Sequence, residues 1–433
     1  MKVSRAVIFC CFTFMVLSVA RRACAAEISL WPMAEFDEIY DDNVNLTPTN
    51  RKGDFVSAET FGATLEAETA ARNFFLTYQT ELLEYASYPG LDSFGKDHAA
   101  NLRDDELLSA GTTLSISDSL LVGNAISNGT LVNGATPVGS QMMESLFYQT
   151  SILSNDFAID LSSRYSDSFT WTADIHQLMF TTLSGSSPSG SPSSASSGSG
   201  YFFDEGGAVG GEWDFPERFA AGFGYQFDDF RTSGEGDLPT TESHWPQLRM
   251  GWGKGTPFSI LAQVGPIITD SSSGSFLATS PSGATSTTAV PAAVKVDAGY
   301  LISGNYKTRR LTITASAGQE PGFGAGFVGY ATEQVYGLLI SYKLSRRATV
   351  FLNGGYYTFG SSGASADAWI YSGGMTYRLN EYLFLSANYL GFSSKSSGPA
   401  VAETLVAVPG ARSTINLFQV GVTLAPPALK WRF

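Results

Sequence analysis

From residue 27 onward, apolar and polar positions alternate with a period of two, as they must in a strand with one face in lipid and the other in water. Val294, Val296, Ala298, Tyr300 and Ile302 share one parity, and Lys295, Asp297, Gly299 and Ser303 share the other. Phe219, Ala221, Phe223, Tyr225 and Phe227 oppose Ala220, Gly222, Gly224, Gln226 and Asp228 in the same way. Trp369, Tyr371, Met375 and Tyr377 oppose Ser372, Thr376 and Arg378; near the start, Phe61, Ala63, Leu65 and Ala67 oppose Thr64, Glu66 and Glu68. No convincing helical periodicity accompanies these runs. The pattern predicts an all-β chain.

A soluble sandwich also alternates, but it fills its interior with Val, Ile and Leu. Here the polar faces are Gly, Ser, Thr, Asn, Asp and Gln, too small and hydrophilic to pack a dry core. A wide barrel with lipid outside and water inside accounts for them. The aromatic complement of 30 Phe, 19 Tyr and 7 Trp suits lipid-facing strands with interfacial girdles.

Connection lengths point the same way. Tight turns are expected at 71–73, 117–119, 154–156, 214–218, 253–257, 306–309, 345–347 and 380–381. Longer Ser-, Gly-, Ala- and Thr-rich links are expected at 43–53, 89–101, 128–140, 183–200, 232–242, 269–292, 319–331, 360–367 and 393–412. Short turns on one side and long loops on the other are the habit of outer-membrane barrels. Phe157, Ile159, Leu161, Tyr165, Phe169, Trp171, Ala173 and Ile175 keep one apolar parity, so residues 156–183 read as a single long strand. Eight hairpins plus one strand at each end give a single transmembrane antiparallel β-barrel of 18 strands, with 16 as the alternative count.

The ends of the chain add an address. Lys2 and Arg5 precede an apolar run from 6 to 20, followed by small residues up to Ala26. That run is shorter than the ~20 residues a spanning helix needs, and the whole reads as a cleaved export signal over 1–26, with the barrel over 27–433. All three cysteines lie in this segment, so the mature chain has neither disulfide nor thiolate metal site. Its four basic residues leave with it, which makes a chain of net charge −14 more acidic still. An acidic chain is a poor nucleic-acid binder; it suits a cation-attracting lumen or soluble acidic loops. At the other end, Leu429, Trp431 and Phe433 alternate with Lys430 and Arg432, like the C-terminal signal read by the barrel-assembly machinery. Pro426-Pro427 is expected to interrupt pairing just before it.

The segment Glu38-Ile39-Tyr40-Asp41-Asp42-Asn43-Val44 resembles the opening of a bacterial family of outer-membrane β-barrel porins, many of which carry a YxDNV-like start. The resemblance implies a barrel in the outer membrane. It supplies no solute, and some relatives are encoded with exopolysaccharide export systems. Physically, Asp41, Asp42 and Asn43 suit a strand end, where their side chains bond nearby backbone.

Little in the sequence carries catalytic chemistry. His98, His176 and His244 are far apart and lack metal-ligand spacing; each reads as a surface histidine. Asp104-Asp105 and Asp228-Asp229 are neighbours in strands and point to opposite faces. No GxSxG and no phosphate-cradling glycine loop is present. Arg309-Arg310 and Arg346-Arg347 fall at turns and suit a headgroup boundary. The sequence thus predicts a non-enzymatic, cofactor-free barrel for passive diffusion of small hydrophilic solutes with cation preference, in contact with outer-membrane lipid and lipopolysaccharide, and compatible with a homo-oligomer. Glu66, Glu68, Asp228, Lys295, Asp297 and Arg378 are the lumen-lining candidates. A structural or polymer-export barrel and a barrel hydrolase are the alternatives.

Overall fold

The structure, a computed structural model, describes residues 27–44, 51–124, 151–182, 201–233, 240–279, 285–322, 331–361, 364–397 and 412–432. The expected export signal and Phe433 lie outside these residues, as does the 128–140 link.

The strands are β1 (Glu27–Asp41), β2 (Asp54–Glu68), β3 (Arg72–Tyr85), β4 (Ser93–Ser109), β5 (Thr112–Asn124), β6 (Ser151–Ser166) and β7 (Phe169–Thr182). They continue with β8 (Tyr201–Asp214), β9 (Phe219–Ser233), β10 (Thr241–Trp252), β11 (Phe258–Ser271), β12 (Gly274–Thr279), β13 (Thr285–Val290) and β14 (Ala293–Lys307). The last are β15 (Leu311–Gly322), β16 (Ala331–Lys343), β17 (Ala348–Ser361), β18 (Ala364–Arg378), β19 (Leu383–Ser397), β20 (Arg412–Leu424) and β21 (Leu429–Arg432).

Each strand of the main sheet pairs antiparallel with its neighbours along the chain, and β1 closes the ring against β20 and β21. β20 and β21 are two segments of one stave, so the barrel has 18 strands; β12 and β13 form a separate hairpin between β11 and β14. Among the described residues closure leaves the main sheet without a free edge, which matters in hydrocarbon, where each unsatisfied backbone group costs several kcal/mol.

One side of the sheet is greasy and exposed. Ile175, Val209, Leu248, Val296, Leu352 and Val420 are each more than half exposed and all fall on the apolar parity of their strands. Soluble monomers rarely expose so many large apolar side chains on one face, and such a face marks a membrane or partner surface. Aromatic contacts run across neighbouring strands on the same side, including Tyr356–Trp369 at 4.4 Å and Tyr389–Phe418 at 4.8 Å between centroids.

The short connections share a local chemistry. Thr69, Thr308, Ser345 and Asn380 each accept hydrogen bonds from backbone N–H groups two and three residues ahead. The 253–257 turn needs a glycine: Gly253 has φ +83°, and a Cβ there would sit 2.1 Å from the Phe258 carbonyl oxygen.

The strand count agrees with the sequence, but two turns do not. Residues 117–119 lie inside β5 and 154–156 inside β6; the actual turns are at 110–111 and 167–168. The single long strand expected over 156–183 is instead a hairpin, β6–β7. Ile159 faces Ile175 and Leu161 faces Ala173, odd opposite odd. The apolar parity therefore passes through the turn unbroken, and phase alone cannot reveal it. Two misplaced turns and two missed ones cancel in the count. Several expected loops are also strand: β4 begins at Ser93 after a short 3-10 turn (Pro89–Leu91), and β17 and β18 extend to Ser361 and from Ala364.

Pro426-Pro427 breaks pairing as expected, yet the stave resumes. Leu424 faces Ala34 and Leu429 faces Leu30, so the C-terminal stave carries one extra residue there. That residue switches the outward parity, so Val420 and Val422 continue on the same face as Leu429 and Trp431.

Candidate functional site

Closure turns the polar parity inward. Asp228 on β9 and Glu320 on β15 both belong to it, with three strands between them around the wall.

All six lumen candidates fall on this polar face, but they form no single cluster. Glu66 accepts a hydrogen bond from Trp31 Nε1 at 3.3 Å, and Glu68 ends β2 at a short turn. Lys295 and Asp297, two residues apart on β14, pair at 2.8 Å and partly neutralise each other. Arg378 reaches the Arg346 carbonyl at 3.3 Å and so belongs to the short-turn rim. Asp228 is only 2 % exposed and sits in a polar group that the sequence did not reveal.

That group lies on β7, β8 and β9. His176 Nε2 is 3.2 Å from Asp228 Oδ1, and His176 Nδ1 is 3.5 Å from Asp174 Oδ1. Asp204 projects from β8 beside them, and Gln226 donates to the Asp228 carboxylate at 3.1 and 3.2 Å. Sequence reading treated His176 as a surface residue; its pairing opposite Gly206, itself opposite Asp228, brings the two together. His98 and His244 behave as expected of surface residues, bonding Tyr78 at 2.9 Å and Tyr225 at 2.6 Å on the outer face, although His98 lies in β4 and not in a loop.

A second acidic group gathers around Glu81 of β3, which has Asp97 of β4 and Asp37 and Glu35 of β1 within electrostatic range, all of them inward. Glu81 is 2 % exposed, and neither carboxylate oxygen accepts a hydrogen bond of normal geometry. Asp37 and Asp97 are seated over glycines: a Cβ at Gly421 or Gly123 would come within 2 Å of their Oδ1 atoms.

Positive charge is sparser. Arg249 of β10 lies flat on the inner wall, where a Cβ at Gly224 would come within 2.7 Å of its Nε and Nη2.

Toward the long-connection end, apolar side chains narrow the interior beside the seam. Ile39, Leu83, Tyr85, Tyr357, Ile370 and Phe392 pack with Val44, Tyr88 and Leu91 from the connections. The segment resembling the family start holds this end together. Asp41 Oδ1 accepts from Asn43 N at 2.8 Å, Asn43 Nδ2 donates to the Thr414 carbonyl at 3.0 Å, and Asp42 receives two bonds from Asn416. Tyr40 points outward against Phe55, and Val44 is fully buried. These are the backbone bonds that Asx side chains make at a strand end. Asp104 and Asp105 diverge as neighbours should, to Arg72 on one face and to Arg103 and Ser115 on the other.

No family model and no curated protein matches the chain. Among solved structures it is similar to Pseudomonas aeruginosa OccK2 (OpdF) in complex with glucuronate, with 13 % identity, TM-score 0.41, and 92 % of this chain and 98 % of that chain covered. It is also similar to Acinetobacter baumannii OccAB4, with 10 % identity, TM-score 0.42, and 95 % and 99 % covered. P. aeruginosa OpdK with vanillate gives 10 % identity, TM-score 0.41, and 94 % and 99 % covered. By its own geometry the chain is a closed antiparallel barrel of 18 strands, greasy outside and acidic within.

Proposed function

We propose that the chain is an outer-membrane, porin-like channel for passive diffusion of small hydrophilic solutes, with a preference for cations. The observation that supports this is the opposite chemistry of the two barrel faces. The exterior offers hydrocarbon a continuous apolar surface, and the interior carries carboxylates in excess over Arg249, Arg378 and Lys295. A water-filled barrel lined with negative charge concentrates cations and repels anions. Glu66, Glu68, Asp228 and Asp297 contribute to that field, offset locally by Lys295 and Arg378.

Leu429 and Trp431, on the outer face of the closing stave, are suited to recognition by the barrel-assembly machinery, and the apolar belt to lipid and lipopolysaccharide. The likeness of residues 38–44 to the porin family start accords with this reading. A role in exopolysaccharide export finds no particular support in the geometry and predicts loss of surface polymer on deletion.

Purified protein in planar bilayers tests the proposal. Discrete conductance steps and a cation-selective reversal potential in a KCl gradient are expected. Sealed bilayers or anion selectivity would overturn it.

A further inference from the structure

We propose that the inner wall of β7, β8 and β9 binds one divalent transition-metal ion through His176, Asp204 and Asp228. Donor atoms of these three side chains all lie within 4.8 Å of one another. Two ligands held about 2.0–2.2 Å from one ion stand roughly 3.0–3.5 Å apart. His176 Nε2 and Asp228 Oδ1 are 3.2 Å apart, already at that spacing.

The gap between them is kept open by sequence. Gly206 faces His176 on one side and Asp228 on the other. A Cβ there would lie 2.5 Å from His176 Nε2 and 2.7 Å from Asp228 Oδ1, filling the space an ion needs. Asp204, two residues along the same strand face, has a buried Oδ1 that accepts no hydrogen bond. A buried carboxylate oxygen without a donor is costly, and a cation relieves it.

The surrounding groups have the arrangement metal sites use. Asp174 Oδ1 lies 3.5 Å from the far ring nitrogen, Nδ1, where a carboxylate orients a ligating imidazole. Gln226 holds the Asp228 carboxylate. Asp156 on β6 adds negative potential toward both His176 and Asp204. One imidazole with two carboxylates suits Zn²⁺, Mn²⁺ or Cu²⁺ better than Ca²⁺ or Mg²⁺, which take all-oxygen sets. This reading stands whether or not the pore conducts, because it is tested on protein in detergent.

The test is calorimetric titration of EDTA-stripped, detergent-solubilised protein with ZnCl₂. One saturable zinc site per chain is expected, weakened at least tenfold by His176→Gln, Asp204→Asn or Gly206→Ala and unchanged by Glu381→Gln at a short turn. Each variant is first checked for the heat-modifiable barrel. Should a variant fail to fold, pulsed EPR of Cu²⁺ on the native chain decides: coupling to one imidazole nitrogen supports the site, and its absence overturns it. Diffuse binding indifferent to these substitutions, or no binding, would also overturn it and leave His176 as an ion-pair partner of Asp228.

Discussion

Asp42 receives two hydrogen bonds from Asn416, from its backbone N at 2.7 Å and from its side-chain Nδ2 at 2.6 Å, joining the end of the first strand to the last. Both involve a carboxylate, and charge-assisted bonds are the stronger kind. Asp42→Ala should lower barrel stability by about 2–3 kcal/mol, a figure that allows for partial exposure. Heat modifiability on gels and urea unfolding in lipid vesicles measure it. Asn416→Ala should cost less, since its backbone donor survives, and the double variant should fall short of the sum; full additivity would mean that the two residues do not act together.

Parity sets the next expectation. Val296 is 64 % exposed on the outer face, and its neighbours Lys295 and Asp297 point inward. Val296→Arg should cost on the order of 2–4 kcal/mol if it lies near the bilayer midplane. Replacing both Lys295 and Asp297 with Ala should leave assembly nearly unchanged. Equal effects from the two would contradict the assignment of faces.

Glu81 carries a carboxyl group into a buried, acidic surrounding, with the Thr60 hydroxyl nearby but outside normal hydrogen-bond geometry. Glu81→Gln keeps the shape and cannot ionise, so it should raise stability by roughly 1–3 kcal/mol at alkaline pH, where Glu81 would have to carry its charge. A rise in the temperature of barrel unfolding checks this; a fall would mean that the carboxylate is held by a partner that Gln cannot satisfy.

Arg249 is a cation on an inner wall where carboxylates predominate. Arg249→Gln should raise the cation-to-anion permeability ratio, on the order of twofold. Reversal potentials across a salt gradient report it, and movement toward anions would place Arg249 away from the ion path.

Much of this fold is legible in the sequence. Period-two alternation identifies strands, and the polar faces of β9, β14 and β18 are those the sequence assigned. Some turns were equally plain, because Thr308 and Asn380 carry their own acceptors. Where the register sum of a hairpin is even, as in β6–β7, the pattern continues through the turn and hides it. The metal-like group stayed hidden for a related reason. His176, Asp204 and Asp228 are adjacent only once three strands are aligned, and no local spacing encodes that alignment. Gly206, the residue that makes room, looked like one more small strand position.

The clasp at Asp42 has a consequence for how such a molecule is made. Its two halves are 374 residues apart, so β1 can complete only one of its hydrogen-bonded sides with early neighbours. The other stays raw until the final stave arrives, and through that interval the nascent sheet can add a stranger's strand as readily as its own. A chain built this way keeps that edge of β1 open until β20 closes it, which makes the last pairing the one that protects the whole sheet.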